Sequence, residues 1–224
     1  MRAGIRGSRR RAPTADRPLR IGCGAGYSGD RIEPAVELVE HGELDYLVFE
    51  CLAERTIAIA QQAKARDPHA GFDPRLRERM EAVLAACHAR GVTIITNMGA
   101  ANPHAAAACV RDVAVCSGLS DLTVAVITGD DVLSMIADGE YRSLETGDVF
   151  AAGSVVSANA YLGAESIVEA LGHGADVVIT GRVADPSLFV APIVATYGWA
   201  LDDWPRLGIA TVAGHLLDCA GQVT

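Results

Sequence analysis

The sequence has few aromatic residues, no C-x-x-C pair and no long apolar run. Only 5% of its 224 residues are aromatic, and its many Ala, Val and Gly residues favour helices packed closely on a sheet over a loop-rich secreted scaffold. Its six cysteines are expected to be reduced, mostly buried thiols of a cytoplasmic protein, although an even number permits disulfides. No apolar run reaches the roughly 18 residues of a membrane-spanning helix, so we expect no membrane partner.

The sequence lacks the residues that a metal site and a nucleic-acid-binding surface need. The six histidines occur without H-x-x-x-H or Cys/His ligand spacing, so the sequence predicts no metal site. Basic residues are concentrated in the first 20 residues, which hold seven arginines and one acid, and the remainder holds 12 basic and 27 acidic residues. Because phosphates are bound through Lys and Arg, a domain this acidic is unsuited to nucleic acid.

The basic start of the chain is predicted to be separate from the folded domain. We interpret residues 1–19 as a disordered leader and residues 20–224 as one α/β domain. An Arg-rich, acid-poor segment is also typical of a transit peptide or of a tail that touches nucleic acid. A helical pattern begins at Gly214 and is still running at Thr224, so we expect this domain to be the N-terminal part of a longer architecture.

Short β-rich runs alternate with longer helical stretches. The runs are apolar throughout and show little period-two alternation, which is typical of parallel strands covered on both faces. We predict a three-layer, doubly wound, mostly parallel, Rossmann-like α/β fold with helices on both faces. The predicted strands are Leu19–Cys23, Leu44–Phe49, Val92–Thr96, Leu122–Thr128 and Ala175–Thr180.

Helix starts are indicated by proline and by capping residues. Helices are predicted from Pro34 to His41, from Pro74 to about Ala89, and over Ala158–Leu171. Asn102 and Asp185 each precede a proline and are expected to cap the helices that follow. Residues 138–153 are expected to form a hairpin or lid.

The loop after the first strand is rich in glycine. Gly24, Gly26 and Gly29 have G-x-G-x-x-G spacing, and Glu50 follows 21 residues later, where a dinucleotide site has an acid. Asp30, however, would place a negative charge beside the pyrophosphate. NAD is therefore disfavoured, and a tight turn without a cofactor is the competing interpretation. Ligand contacts are predicted from the loop residues Gly24, Gly26, Tyr27, Ser28 and Gly29.

Carboxylates at the ends of the strands are the candidate acid–base groups. The loops that follow parallel strands converge on one sheet edge, and this places Glu50 and Asp30 near a common pocket. Burial would raise the pKa of such a carboxyl group. The alternative for Asp30 is to cap a helix, and the alternative for Glu50 is to pair with Arg55 or Arg182.

The remaining candidates are polar side chains in the later loops. Asn97 either contacts a substrate carbonyl or fixes its own loop. Arg182 either binds a carboxylate or phosphate or pairs with a neighbouring acid. Asn102 and Asp185 are weighed as ligand-binding residues as well as caps. Cys51 is a weak candidate nucleophile, because the adjacent carboxylate raises the pKa of its thiol.

Four segments in this order resemble the N-terminal region of the acyclic terpene utilisation, AtuA-like, family: Gly22–Arg31, Phe49–Thr56, Asn97–Pro103 and Ile179–Ser187. The resemblance covers the chain from about residue 20 to its end. It implies a role in bacterial catabolism of acyclic terpenoids such as citronellol and geraniol, through acyl-CoA thioesters. The resemblance also implies that related proteins are encoded beside genes for acyl-CoA carboxylase and for a hydratase or lyase. It implies as well that family members are commonly longer than this chain.

Three functions follow from these observations. The first is an enzyme of lyase or hydratase type acting on an acyl-CoA or carboxylated intermediate, with Glu50, Asp30 and Asn97 catalytic. In it the Gly24–Gly29 backbone and Arg182 hold an anionic group. The second is a non-catalytic module that binds an acyl-CoA carboxylase-type protein, and the third is an NAD-dependent enzyme. A small-molecule substrate and a homo-oligomer are expected, with no certain cofactor.

Overall fold

The structure, a computed structural model, describes residues 18–137, 141–149 and 155–222. Of the predicted leader, all but the last two residues lie outside the described ranges. Residues 138–140 and 150–153 of the predicted hairpin or lid also lie outside these ranges. In its described part, an antiparallel bridge joins Arg142 to Val149. No described helix combines the length and the apolar character that crossing a membrane requires.

A five-stranded parallel sheet forms the centre of the fold. Its spatial order is β1-β2-β3-β5-β4, and each neighbouring pair is parallel. The strands are short and, apart from parts of β1 and β4, buried, as their continuous apolar sequences predict. Their bounds are β1 Ile21–Ala25, β2 Tyr46–Phe49, β3 Thr93–Thr96, β4 Val124–Ile127 and β5 Val177–Thr180.

Eight α-helices are described around this sheet. Each begins after a loop that leaves the carboxyl end of a strand, or follows another helix. A 3-10 turn, Ala220–Gln222, follows the last of them. The helices are α1 Glu33–His41, α2 Glu54–Arg66, α3 Leu76–Arg90, α4 Pro103–Cys116, α5 Leu133–Ala137, α6 Glu165–Gly172, α7 Ser187–Tyr197 and α8 Trp204–Asp218.

The two faces of the sheet carry separate cores. Helices α1, α3 and α4 pack on one face, where Phe49 and Ile94 are among the buried strand residues. Helices α6, α7 and α8 pack on the other face around Val48, Ile95 and Val178. The predicted three-layer, Rossmann-like α/β fold with helices on both faces is therefore confirmed.

Helix α2 lies on neither face. Its buried residues Ile57 and Ala60 pack against Leu52, Ala100 and Ala101, in the loops that follow β2 and β3. The helix thus covers the carboxyl edge of the sheet. The neighbouring strands β3 and β5 lead to helices on opposite faces, and such a point in a parallel sheet forms a crevice that commonly binds ligands.

Two predicted helix bounds are wrong for identifiable reasons. The helix predicted over Ala158–Leu171 begins only at Glu165, because backbone groups at Asn159 and Leu162 pair with Asp131 and Val183 instead. The helix predicted to begin at Gly214 begins at Trp204, where Asp203 accepts a hydrogen bond from the third helical residue.

Candidate functional site

The site is built on two adjacent loops, since Glu50 follows β2 and Asn97 follows β3. Asn97 is fully buried, and its Nδ2 donates a hydrogen bond of 2.8 Å to Oε1 of Glu50. Its Oδ1 accepts the backbone N–H of Cys51, also at 2.8 Å. Oε1 of Glu50 also accepts the backbone N–H of Leu52 at 3.1 Å. These bonds hold the carboxyl group in one orientation at the sheet edge.

The surroundings of Glu50 favour its protonated form. Burial is the largest cause that raises its pKa, and the negative charges of Asp185 and Asp218 add to it, so the pKa rises from 4.5 to about 7 against the opposing hydrogen bonds from Asn97 and Leu52. Asp218 is itself buried, and one of its carboxylate oxygens has no hydrogen-bond partner among the residues that the structure describes. Burial likewise raises the pKa of Asp185. A carboxyl group that titrates near neutrality can both accept and donate a proton.

Next to this pair lies a cavity of about 780 Å³. It is lined by α2, α3, α4 and the loops that precede α3 and follow β3, and its wall is mainly apolar. Asn97, Cys51 and Leu52 line it, so Glu50 is hydrogen bonded to two residues of the cavity wall. Polar groups elsewhere in the wall include Ser28, Thr56, His69, Asp73, Arg77 and Asp112.

The glycine loop packs closely against other residues of this chain. A Cβ atom on Gly26 would lie 2.5 Å from the backbone carbonyl of Cys219, and one on Gly24 would lie 2.6 Å from the ring of Phe49. The N–H of Gly26 donates to the carboxylate of Asp30 at 3.0 Å. The short contacts of Gly24 and Gly26 are therefore with this chain's own atoms, and an acid stands where a pyrophosphate would bind.

Asp30 does not cap the following helix. Its second carboxylate oxygen accepts the N–H of Arg31, and the first position before α1 is Ile32, which makes no side-chain cap. The capping alternative is therefore wrong, because Asp30 folds back into the glycine loop. Tyr27 is half exposed, and Gly29 lies beside its ring.

Arg182 is buried among partners supplied by the protein. Its guanidinium donates to the carbonyl of Leu52, to the hydroxyl of Tyr161 and to the carboxylate of Glu54, and it lies 3.6 Å from Asp185. The structure thus places Asp185, but not Glu50, among its ion-pair partners within the described residues.

Asp185 also fails to cap α7, because the position before that helix is Pro186. Asn102, by contrast, caps α4 as predicted, accepting the N–H of Ala105. Its Nδ2 donates to the carbonyls of Pro68 and Ala70, so it also holds the loop that precedes α3.

Arg79 is a buried functional candidate that the sequence prediction missed. It has no exposed side-chain surface and donates to the carbonyls of Tyr27, Ser28 and Asp30, while Asp73 lies 3.6 Å away. It therefore anchors the glycine loop to α3. The signal was an arginine three residues after Leu76, on the apolar stripe of that helix, where a charge requires buried partners.

No three His, Cys, Asp or Glu side chains in the described ranges are arranged to hold a metal ion.

A family model described as "acyclic terpene utilisation family protein AtuA" matches residues 19–224. Neither the curated proteins nor the solved structures include a match to the chain. The matched residues include all five strands together with Glu50, Asn97 and the cavity wall.

Proposed function

The chain belongs to the acyclic terpene utilisation family AtuA, and on that basis we propose that it acts on an acyl-CoA or related carboxylated intermediate of terpenoid breakdown. The reaction is of the hydratase or lyase type, and Glu50 is its acid–base group. The observation that carries this proposal is the juxtaposition of a partly buried carboxyl group, with a pKa of about 7, and a large, mainly apolar cavity.

Glu50 would perform the two proton transfers of such a reaction. In a hydration, its carboxylate accepts a proton from water as the water oxygen bonds to the β-carbon of an unsaturated thioester. The resulting carboxylic acid then returns a proton to the α-carbon, so that atoms and charge balance. The reverse sequence eliminates water. A pKa near the working pH supports both halves of this cycle.

Asn97 would orient the carbonyl of the substrate. Its amide nitrogen carries two N–H groups. One of them bonds to Glu50, and we assign the other to the thioester oxygen, because Asn97 also lines the cavity. A donor at this position would stabilise the negative charge that develops on that oxygen.

The cavity would hold the hydrocarbon chain of the substrate rather than its charged part. Arg77 lies in the wall and already faces an acid, 3.7 Å from Asp112, and the wall residue Asp73 is paired with Arg79 at 3.6 Å. An anion placed inside would therefore meet carboxylates and a mainly apolar surface. An aliphatic chain gains from the same surface, and the volume lies within the range of small-molecule sites.

Arg182 is then assigned a positioning role. Its donors are engaged by the Leu52 carbonyl, Tyr161 and Glu54, and it packs over the Tyr161 ring. It connects the loop after β5 with the start of α2, a helix that lines the cavity. Arg182, which the sequence predicted to hold an anion, is therefore assigned to supporting the site from outside the cavity.

Calorimetric titration with acyl-CoA thioesters tests this assignment. We expect the CoA thioester of a branched acyclic terpenoid acid to bind at least tenfold more tightly than acetyl-CoA or free CoA. Ala63→Phe, which fills the cavity from α2, should reduce that affinity at least about tenfold, or about 1.4 kcal/mol. Ala58→Phe is the matched control, because Ala58 is exposed on the same helix.

Two results would contradict the proposal. One is the absence of binding to every acyl-CoA thioester tested. The other is retained growth on a terpenoid when Glu50→Gln replaces the wild-type gene in a host that needs it. Growth of that variant would favour the non-catalytic module, in which binding to an acyl-CoA carboxylase-type partner, rather than proton transfer, is the contribution of this chain.

A further inference from the structure

Asp130 is a buried carboxylate that takes no part in the proposed proton transfers. It lies in the loop after β4 and is 4% exposed. Its Oδ2 accepts the backbone N–H of Arg182 at 2.8 Å and a hydrogen bond from Nδ2 of Asn159 at 2.9 Å. Its backbone carbonyl accepts the N–H of Ala160 at 2.7 Å. Because a buried carboxylate needs donors in place of water, these contacts fix Asp130 between the loop after β5 and residues 159–160.

Gly181 shows how closely this carboxylate approaches the loop after β5. A Cβ atom on Gly181 would lie 2.5 Å from Oδ1 and 2.6 Å from Oδ2 of Asp130, and the three atoms nearest to it all belong to that carboxyl group. Gly181 does not have the positive φ at which glycine is favoured. The lack of a side chain at this position therefore lets the carboxylate reach the N–H of Arg182 beside it.

Both the backbone and the side chain of Arg182 depend on Asp130. The backbone N–H is bound by the carboxylate directly. The guanidinium lies over the ring of Tyr161, 4.2 Å from its centroid, and donates to the Tyr161 hydroxyl. Tyr161 comes directly after Asn159 and Ala160, the two residues that Asp130 binds. A displacement of Asp130 would therefore release Arg182 at both places.

Arg182 in turn holds the residue that holds Glu50. Its guanidinium donates to the backbone carbonyl of Leu52. The backbone N–H of the same Leu52 donates to Oε1 of Glu50 at 3.1 Å. Leu52 is thus fixed on one side by Arg182 and fixes the carboxyl group of Glu50 on the other.

We propose that Asp130 is a positioning residue, which keeps the carboxyl group of Glu50 in place through Arg182 and Leu52. The inference rests on the proposed function, in which Glu50 is the acid–base group. The path has three hydrogen bonds: from the N–H of Arg182 to Asp130, from the Arg182 guanidinium to the carbonyl of Leu52, and from the N–H of Leu52 to Glu50. Such support matters because a base must lie within hydrogen-bonding distance of the proton that it accepts.

NMR titration of the Glu50 carboxyl carbon tests this path without any substrate. The hydrogen bond from Leu52 lowers the pKa of Glu50, so Asp130→Ala, which loosens that bond, should raise the pKa. Asp130→Asn should stay close to the wild type, because its amide oxygen can accept both N–H groups. Both variants remove the same charge, so the missing acceptor alone distinguishes them. Asp131→Ala is the control, since Asp131 is exposed and accepts the N–H of Leu133, and it should leave the titration unchanged.

The rate of α-proton exchange in a branched acyclic acyl-CoA thioester tests the same path during catalysis. At saturating thioester, Asp130→Ala should lose at least about tenfold in exchange rate and keep its affinity within about twofold, because a small misplacement of a reacting group slows the reaction more than it weakens binding. Asp130→Asn should retain most of the wild-type rate. This rescue by the conservative variant is not expected if Asp130 acts on Glu50 through its charge.

Gly181→Ala covers the case in which Asp130→Ala fails to fold. Its Cβ displaces the carboxylate while the charge of Asp130 remains, so it should raise the pKa of Glu50 and slow the exchange. Added to a folded Asp130→Ala chain, it should change little more, because the side chain that the Cβ meets is already absent.

An unchanged Glu50 titration in Gly181→Ala and in folded Asp130→Ala would overturn the inference, even where the wild type catalyses exchange. So would equal shifts of the titration in Asp130→Ala and Asp130→Asn. A wild type that catalyses no exchange, while the titration of Glu50 shifts as expected, would instead overturn the proposed function and leave the path from Asp130 to Glu50 established.

Discussion

Asn97 donates a hydrogen bond of 2.8 Å to the carboxyl group of Glu50 and accepts the backbone N–H of Cys51 with the same side chain. The two residues belong to loops after neighbouring parallel strands, so this amide links the loops and orients the proposed acid–base group. Orientation matters because proton transfer requires the carboxyl oxygen within hydrogen-bonding distance of the reacting proton.

Asn97→Ala should raise the pKa of Glu50 above its value of about 7, because the lost hydrogen bond favours the ionised form. It should also cost about 1–3 kcal/mol of stability, since the buried N–H of Cys51 loses its acceptor. NMR titration of the Glu50 carboxyl carbon and urea denaturation measure the two effects. Asn102→Ala, which removes a helix cap for about 1 kcal/mol, should leave the pKa of Glu50 unchanged. Equal titration of Glu50 in both variants would contradict this role of Asn97.

Stability should fall as the pH rises through the titration of Glu50. The pKa of Glu50 is about 7 in the folded chain, whereas its ordinary value, which applies to the unfolded chain, is 4.5. The folded chain therefore binds this proton more tightly than the unfolded chain. The associated stability is fully present below pH 4.5 and is lost, by about 3 kcal/mol, as the pH rises through about 7. Glu50→Gln should therefore match the wild type at pH 4 and exceed it at pH 8, in urea denaturation at each pH.

Glu78→Gln provides the control of opposite sign. The Arg75 hydrogen bond lowers the pKa of Glu78, so the stability from this exposed pair is lost as the pH falls, not as it rises. A wild-type stability that stays constant or increases between pH 5 and pH 8, relative to Glu50→Gln, would show that Glu50 is not destabilised by burial.

Arg79→Met should destabilise the fold by about 3–5 kcal/mol, because it leaves Asp73 buried without its cation and frees the carbonyls of the glycine loop. Arg77→Met is the matched substitution on the same helix. Arg77 is 49% exposed and pairs with Glu81 and Asp112 at the surface, so its loss should cost no more than about 1 kcal/mol. Chemical denaturation distinguishes the two, and equal costs would refute the anchoring role of Arg79.

Gly26→Ala should destabilise the chain by about 1–3 kcal/mol, because the new Cβ meets backbone atoms of Cys219 that cannot rotate away. Gly29→Ala is a milder test at the next glycine of the spacing. Its Cβ would approach only the ring of Tyr27, at 3.0 Å, and this half-exposed side chain can move. Thermal unfolding should show a clear loss of stability for Gly26→Ala and a small loss for Gly29→Ala. The reverse order would contradict the packing of Cys219 on the loop.

The fold could be predicted because its strands are continuous apolar runs, and because parallel strands bring their following loops to one edge. That rule placed Glu50 and Asn97 on one edge, and the pairing of β2 with β3 then made them neighbours. The contact of Cys219 with Gly26 could not be predicted, since it joins residues far apart in sequence that no local pattern relates.

The partners of Arg182 show the same limit. The sequence indicated a guanidinium after β5 with a nearby acid, and Asp185 is indeed close. Its contacts with Glu54 and Tyr161 depend on α2 crossing the sheet edge, which hydrophobic periodicity does not reveal. Arg79 could not be predicted for a different reason: the apolar periodicity of α3 does not by itself distinguish a buried arginine from an exposed one on the same helix.

Exchange of the α-protons of a branched acyclic acyl-CoA thioester in D₂O, followed by proton NMR, tests the central claim most directly. The wild-type chain should catalyse the exchange, with a rate that increases as Glu50 ionises around pH 7. Glu50→Gln should bind the thioester with unchanged affinity and lose at least about a hundredfold in exchange rate, the usual contribution of a general base. Exchange by Glu50→Gln at the wild-type rate, with binding intact, would contradict the assignment of Glu50 as the acid–base group.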